Sequence, residues 1–315
     1  GTNLVKLLGR GQLTVHQEDA GLPQGLVWSL LRARSGGFYA ATNDGVGKLG
    51  PGGWSTLPGT RGLACYTMME DQDGALLMAT SPNGLYRLRP GEPPRKVTLP
   101  VADPRINALA LDREGRAWIG SSSQGAIPLD PKESALALDP KAWNESLVNV
   151  TSFALDAGGG LWASTLQGLF RLERGTWRRF RIRDGLLADG LLGVTCSPDG
   201  AIWVTYDEPQ GASRFHLAGD SLVLDRHIGP GKGLGTAMVF TVRETPDRTV
   251  WVNTDLGVYI LKGEESRRLG RGFGLPAEDC TAHSAILDRD GAYWTGTANG
   301  LIRITPQAIS DLLPI

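Results

Sequence analysis

The residues able to do chemistry are few and scattered. His16, His216, His227 and His283 each lack a second His or Cys at i+2 to i+4, so no histidine-based metal spacing is present. Cys65, Cys196 and Cys280 are odd in number, far apart and without a CxxC pair. They read as small buried thiols rather than a disulfide framework. The acidic pairs Asp71/Asp73, Asp112/Glu114 and Asp288/Asp290 have the composition of an acid–base couple. They recur at one register beside Gly, however, where a short carboxylate stabilises its own turn. No HExxH, GxSxG or P-loop occurs, and no GxGxxG stands between a strand and a helix. The triple glycine at 158–160 falls at a β-turn position. These residues predict no catalytic centre, no metal and no cofactor.

Composition narrows the class further. The chain has 315 residues, 41% of them hydrophobic, enough to bury a sizeable core. Its 32 basic and 33 acidic residues give a net charge of −1, which offers no attraction for nucleic acid. No apolar run approaches the ~18 residues of a membrane span, so this segment is expected not to insert directly into a membrane. With 43 Gly and 19 Pro and no Gly-X-Y period, the sequence calls for many tight turns.

Those turns belong to a repeat. Seven segments align: SGGFYAAT (35–42), DGALLMAT (73–80), EGRAWIGS (114–121), GGGLWAST (158–165), DGAIWVTY (199–206), DRTVWVNT (247–254) and DGAYWTGT (290–297). Their shared slot holds Tyr39, Leu77, Trp118, Trp162, Trp203, Trp251 and Trp294, at spacings of 38, 41, 44, 41, 48 and 43. Before each lies an alternating segment such as INALALD or VTSFALD, with the period of a half-buried strand. After each, Gly opens a short apolar-basic strand such as GLYRL or GLIRI, and a more variable fourth strand follows. Four short strands every ~40–45 residues predict propeller blades. The fold class is therefore all-β: a seven-bladed propeller spanning 1–315, with hairpins near 27–49, 63–88, 106–129, 150–172, 191–215, 239–261 and 283–304. Asp-Gly suits a two-residue hairpin between the first and second strands. The slot aromatics are expected to wedge between neighbouring sheets. After Ile304 no convincing fourth strand remains, and GQLTVH (11–16) is expected to complete the last blade from the other end of the chain.

The pattern Asp-x-x-Gly-x-Leu-Trp-x-Gly-Thr followed by Gly-Leu-x-Arg-Leu resembles the two-component regulator propeller repeat. DREGRAWIGSSSQGAIPL, DAGGGLWASTLQGLFRL and DRDGAYWTGTANGLIRI carry it best. EDAGLPQG (18–25), GFGLPAED (272–279) and, more weakly, RDGLLADG (183–190) resemble the family's linker. Tyr39, Leu77, Tyr206 and Arg248 depart from the pattern. The resemblance implies a non-catalytic sensor module on the periplasmic or extracellular side of a bacterial receptor. Its partner would be a fused or separate signalling domain, histidine kinase or diguanylate cyclase. Several members of the family are associated with glycans, and many carry two propellers and a β-sandwich; the single array here then reads as part of such a receptor, with a homodimer as a further expected partner. Streptogramin lyases also carry Asp-Gly-x-Leu-Trp turns, and an enzyme of that kind, or a protein–protein scaffold, is the alternative. Lyase chemistry requires a His on the central face, for which His283 is the counterpart.

On either reading, function is expected on the face where two sets of loops converge. The starts of the innermost strands bring Trp28, Tyr66, Asn107, Thr151, Phe240 and His283. The loops between second and third strands bring Asp44, Asn83, Gln124, Gln167, Asp207, Glu208, Asp255 and Asn299. Aromatic faces mixed with Asn, Gln and Asp suit an oligosaccharide or another small polar ligand. The ligand-binding candidates are Trp28, Tyr66, Asn107, Phe240, His283, Asp207, Glu208, Asp255 and Asn299. Two irregular segments, YDEPQG (206–211) and LDPKAWNES (138–146), break the period on the expected functional face.

Overall fold

The computed structural model describes residues 13–99, 105–129, 147–231, 234–235, 237–306 and 308. The segment 138–146 and the first two residues of 11–16 lie outside them. Within the described residues the strands form antiparallel blades of four, and a parallel bridge between Ser29 and His283 joins the first and last blades into one eight-stranded sheet. The sheet over Ile106–Leu111, Ala117–Ser121 and Gly125–Leu129 has three described strands. The innermost strands are Val27–Arg32, Cys65–Glu70, Ile106–Leu111, Val150–Leu155, Leu191–Cys196, Val239–Glu244 and Cys280–Leu287. Each packs beside the next, and the last packs back against the first, so they enclose a central axis.

The ring closes as the sequence predicts. Leu13–His16 pairs antiparallel with Gly300–Ile304, from Leu13 opposite Ile304 to His16 opposite Leu301. The N-terminal strand is thus the fourth strand of the last blade.

Turn chemistry differs from expectation in one respect. The loop between first and second strands has three residues, not two. In the second blade Asp71 N donates to Ala75 O and Gly74 N to Asp71 O. The same pair of bonds recurs in all seven blades. The third loop residue is left-handed, as Gly74 at φ 82° or Gly291 at φ 78°, so Gly is demanded by backbone sterics. Arg248 occupies this position in the sixth blade at φ 66°. Its guanidinium reaches Glu244 Oε1 at 3.1 Å and Asp199 Oδ2 at 2.9 Å, contacts that offset the strain.

The aromatic slot is interblade core. Trp162, Trp203 and Trp251 are at most 1% exposed. Each packs on the following blade: Trp162 against Ile202, Trp203 against Val250, Trp251 against Tyr293. Trp294 closes the circle against Phe38 of the first blade, with ring centroids 4.7 Å apart. The third-strand Arg lies opposite the slot and pairs with the turn Asp. Arg171, for example, bonds Asp156 Oδ2 at 2.8 Å, and Trp162 Nε1 donates to the same oxygen at 2.9 Å. Burial alone raises the Asp156 pKa, but these bonds and that from Gly160 N outweigh it and hold the carboxyl below its usual value. The recurring acids and arginines of the repeat are thereby accounted for as architecture. The linkers form 3-10 turns at Glu18–Ala20, Ile182–Asp184 and Arg271–Phe273. Each ends on a left-handed Gly, after which Leu22, Leu186 or Leu275 plugs the core.

Candidate functional site

Every inner strand carries a β-bulge near its start. Register shifts fall at Val27/Ser29, Cys65/Thr67, Ile106/Ala108, Val150/Ser152, Leu191/Gly193 and Val239/Thr241. A bulge inserts one unpaired residue and re-aims its side chain. Those residues are Trp28, Tyr66, Asn107, Thr151, Leu192 and Phe240. In the seventh inner strand the irregularity is longer, from Cys280 to Ala285, and contains Ala282 and His283. All eight side chains line one central cavity of about 650 Å³. This volume falls within the range of small-molecule sites.

The cavity has an aromatic side and a polar side. Trp28 and Tyr66 lie at 5.1 Å between centroids and 54° between planes. Trp28 Nε1 donates to Asn43 Oδ1 at 2.7 Å, which fixes the indole. Asn107 Nδ2 donates to Ser122 Oγ at 2.8 Å and to Val150 O at 3.0 Å, which leaves its Oδ1 as an acceptor. Thr151 Oγ1 bonds Leu191 O at 3.0 Å and so ties the fourth inner strand to the fifth. Two neighbouring polar residues, Asn107 and Thr151, thus face aromatic Trp28, Tyr66 and Phe240.

His283 lines the cavity while sitting deep in the molecule. Burial, with the Arg243 charge second, pushes its pKa down to about 4. The imidazole is therefore neutral at neutral pH. The unfolded chain titrates near the ordinary 6.5. Below that pH the unfolded chain takes up a proton that the folded chain refuses. Stability from this group is full above pH 6.5 and falls until about pH 4, by about 3 kcal/mol across the window. His283→Gln is expected to remove that part of the acid sensitivity, read as urea midpoints at pH 7 and pH 4.5. Parallel losses in both proteins would refute this assignment.

The candidates from the loops between second and third strands lie outside the cavity lining. Asp207 and Glu208 are exposed, and Asp207 packs against Gly190. Asp255 Oδ1 accepts from Met238 N at 2.8 Å, which secures the approach to the sixth inner strand. Asn299 O accepts from Gln17 Nε2 at 2.9 Å beside the closing strand. The Asp255 side chain and the Asn299 backbone thus secure their loops outside the cavity. Five of the nine candidates, Trp28, Tyr66, Asn107, Phe240 and His283, are brought together. Sequence reasoning missed Leu192, Ala282 and Arg105, and also Ser81, Pro82 and Ser122 from the loops between second and third strands, which line it too. Leu192 stands at the same second position of its strand as Tyr66, so alignment could have found it. Arg105 precedes its strand and carries no repeat signal.

Burial lifts the thiols of Cys65, Cys196 and Cys280 to about 12, which leaves them unreactive as nucleophiles. Among the described residues no cluster of His, Cys, Asp and Glu could hold a metal ion, and no helix is long and apolar enough to cross a membrane.

This architecture is shared with known structures. Superposition on the extracellular domain of the hybrid two-component system BT3049 of B. thetaiotaomicron gives a TM-score of 0.78 at 17% identity. It covers 95% of this chain and 42% of that one. The chain is a β-propeller. The extracellular domain of the one-component system BT4673 of the same organism matches at TM-score 0.68 and 16% identity, over 89% of this propeller and 40% of that chain. The propeller thus spans about two-fifths of the length of these two chains. A catalytically inactive virginiamycin B lyase from Staphylococcus aureus, solved with quinupristin, matches at TM-score 0.73 and 14% identity, over 93% of the propeller and 98% of the lyase. No family profile and no curated protein matches the propeller's sequence.

Proposed function

We propose that this propeller is the extracytoplasmic, non-catalytic input module of a bacterial signalling receptor, and that it takes a glycan or another small polar ligand in the central cavity. The observation that carries this reading is the ring of bulges. Seven strands each depart from regular pairing at one level, and the released side chains combine stacking surfaces with hydrogen-bonding groups around one space. That is the composition a sugar-like ligand requires. The extracellular signalling domains of the same fold support the receptor part.

The lyase of the same fold and the presence of His283 in the cavity raise a second reading, an elimination enzyme. A general base works best with a pKa near the operating pH. An imidazole held near 4 beside Arg243 is a weak base at neutrality, which favours binding over catalysis.

Thermal-shift screening against mono- and oligosaccharides and small metabolites tests the proposal. A saturable rise in Tm is expected for at least one ligand class, with affinity lowered roughly tenfold or more in Trp28→Ala, since a stacking aromatic contributes on the order of 1–3 kcal/mol. No stabilisation at millimolar concentration would favour a scaffold instead. Turnover of quinupristin by the wild type and not by His283→Ala would establish the lyase.

A further inference from the structure

Four third-strand arginines are paired with acids. Arg87, Arg171, Arg214 and Arg303 each reach an Asp or Glu within 2.9 Å. Arg243 differs. It lies on the inner strand Val239–Glu244, three residues beyond the bulge residue Phe240, or about 10 Å along a strand. Its Nε donates to Ala285 O at 3.1 Å, across to the next inner strand, and Nη1 reaches Val242 O at 3.5 Å. Among the described residues no Asp or Glu lies within ion-pair reach of it. The ionisable groups that bear on it, Tyr293 and Cys196, are both neutral, their protons held by burial.

The register makes this placement unusual within the ring. Arg243 pairs with Trp251 of the aromatic slot. At the same register the other inner strands carry Leu31, Met69, Ala110, Ala154, Thr195 and Ile286. Six uncharged residues, three of them small, therefore share this level with one guanidinium. Arg243 is not among the residues lining the cavity, but it keeps some accessible surface, and its bond to Ala285 O ties it to the strand that carries Ala282 and His283 into the cavity. Its charge is felt at His283, which lines the cavity. No Asp or Glu is among the described residues that line the cavity. A buried guanidinium without a carboxylate carries a large desolvation cost, and an incoming anion relieves it through two parallel N–H···O bonds.

We infer that the central channel is built for an anionic ligand, with the carboxylate of a sugar acid or other small organic acid seated on Arg243 and the remainder of the molecule in the cavity above. This rests on the central cavity being the ligand site and specifies the ligand's charge. Neutral His283 stands beside this seat as a hydrogen-bonding group that adds no second charge.

The test uses protein labelled at histidine and three probes: sodium acetate, galacturonate and galactose. Acetate is expected to shift the His283 ring signals saturably, and His216, exposed on the third strand of the fifth blade, serves as the reference. Galacturonate is expected to bind at least tenfold more tightly than galactose. Arg243→Met is expected to abolish the acetate response and the preference for the acid. Arg243→Lys, which keeps the charge and loses the fork, is expected to retain a weakened response. Should the Met variant fail to fold, Arg243→Gln gives the same readout. Equal binding of galactose and galacturonate by the wild type overturns the anion seat and leaves the cavity as a ligand site. An acetate response that survives in Arg243→Met or Arg243→Gln also overturns it. Acetate binding at Arg243 with no sugar bound upholds the seat and removes the glycan from the proposed function. No saturable response to any probe overturns the seat.

Discussion

Deletion of residues 1–17 unfolds the propeller, or lowers its Tm by roughly 10 °C or more, on the scale by which about 1 kcal/mol shifts the Tm of a domain this large by about 2 °C. The deletion removes Leu13–His16, the strand that pairs with Gly300–Ile304. Leu301, Ile302 and Ile304 are fully buried, and Leu13 and Val15 cover part of the core that contains Ile302 and Ile304. His16 reaches across the seam between last and first blades. Its ring stacks on Trp294 at 5.4 Å and meets Trp54 edge-on at 6.1 Å. Losing about four ladder hydrogen bonds and two half-buried aliphatic side chains, at about 1 kcal/mol each, amounts to about 6 kcal/mol. The bare strand would also expose an edge that favours aggregation. A truncated protein that melts with the intact chain would show that closure is held elsewhere, through Arg32–Asp288 and Thr281 Oγ1 to Val27 O.

The second large effect is expected at Glu244. Its Oε2 accepts from Ser197 Oγ at 2.5 Å, Trp203 Nε1 at 3.0 Å and Arg214 Nε at 2.9 Å, while Oε1 accepts from Arg248. The side chain is 4% exposed and that of Arg214 is 9% exposed. In the third and fourth blades the Trp N–H is satisfied by the blade's own turn Asp, Asp112 or Asp156. In the fifth blade Ser197 occupies that turn position, and the carboxylate comes instead from the inner strand of the sixth blade. Glu244→Ala leaves a buried indole N–H and a buried guanidinium short of an acceptor. The expected cost is about 3 kcal/mol, at the low end for a broken buried pair, because Arg214 keeps Asp225 at 2.6 Å. Glu244→Gln, which retains one acceptor oxygen, is expected to cost about half as much. Burial raises the carboxyl's pKa, but the four donors outweigh it and hold it below its ordinary 4.5. The stabilisation is therefore complete above that pH and lost as acid protonates the folded protein. Urea unfolding of both variants measures the difference, and a Glu244→Ala cost under about 1 kcal/mol would disprove the cross-blade bridge.

These two sites show how unevenly the fold and the cavity can be read from the chain. Closure by Leu13–His16 is legible, because a missing strand at one end and a spare one at the other are both visible in a periodic sequence. Trp162 and its Gly-rich turn are legible for the same reason. Glu244 is not: as a residue it looks like one more polar position on a strand, and its partners Ser197, Trp203 and Arg214 belong to the preceding blade. The expected two-residue turn fails because Asp-Gly fits both a two-residue and a three-residue loop. The choice depends on how the flanking strands pair.

The cavity divides along the same line. Trp28, Tyr66, Asn107 and Phe240 can be singled out because they stand second in inner strands, and His283 because it lies near the start of one, whereas Asp207, Glu208, Asp255 and Asn299 are candidates by loop position alone. By itself the sequence determined the all-β class, the repeat, the turn glycines and the strand that closes the ring, since each depends on local backbone conformation or on spacing along the chain. Only the tertiary structure decided that an irregularity near the start of each of seven inner strands turns side chains into one cavity, and that Arg243 stands among uncharged neighbours further along its strand. Both are properties of strands brought together from distant parts of the chain, and no spacing within one repeat specifies where another repeat's side chain will point.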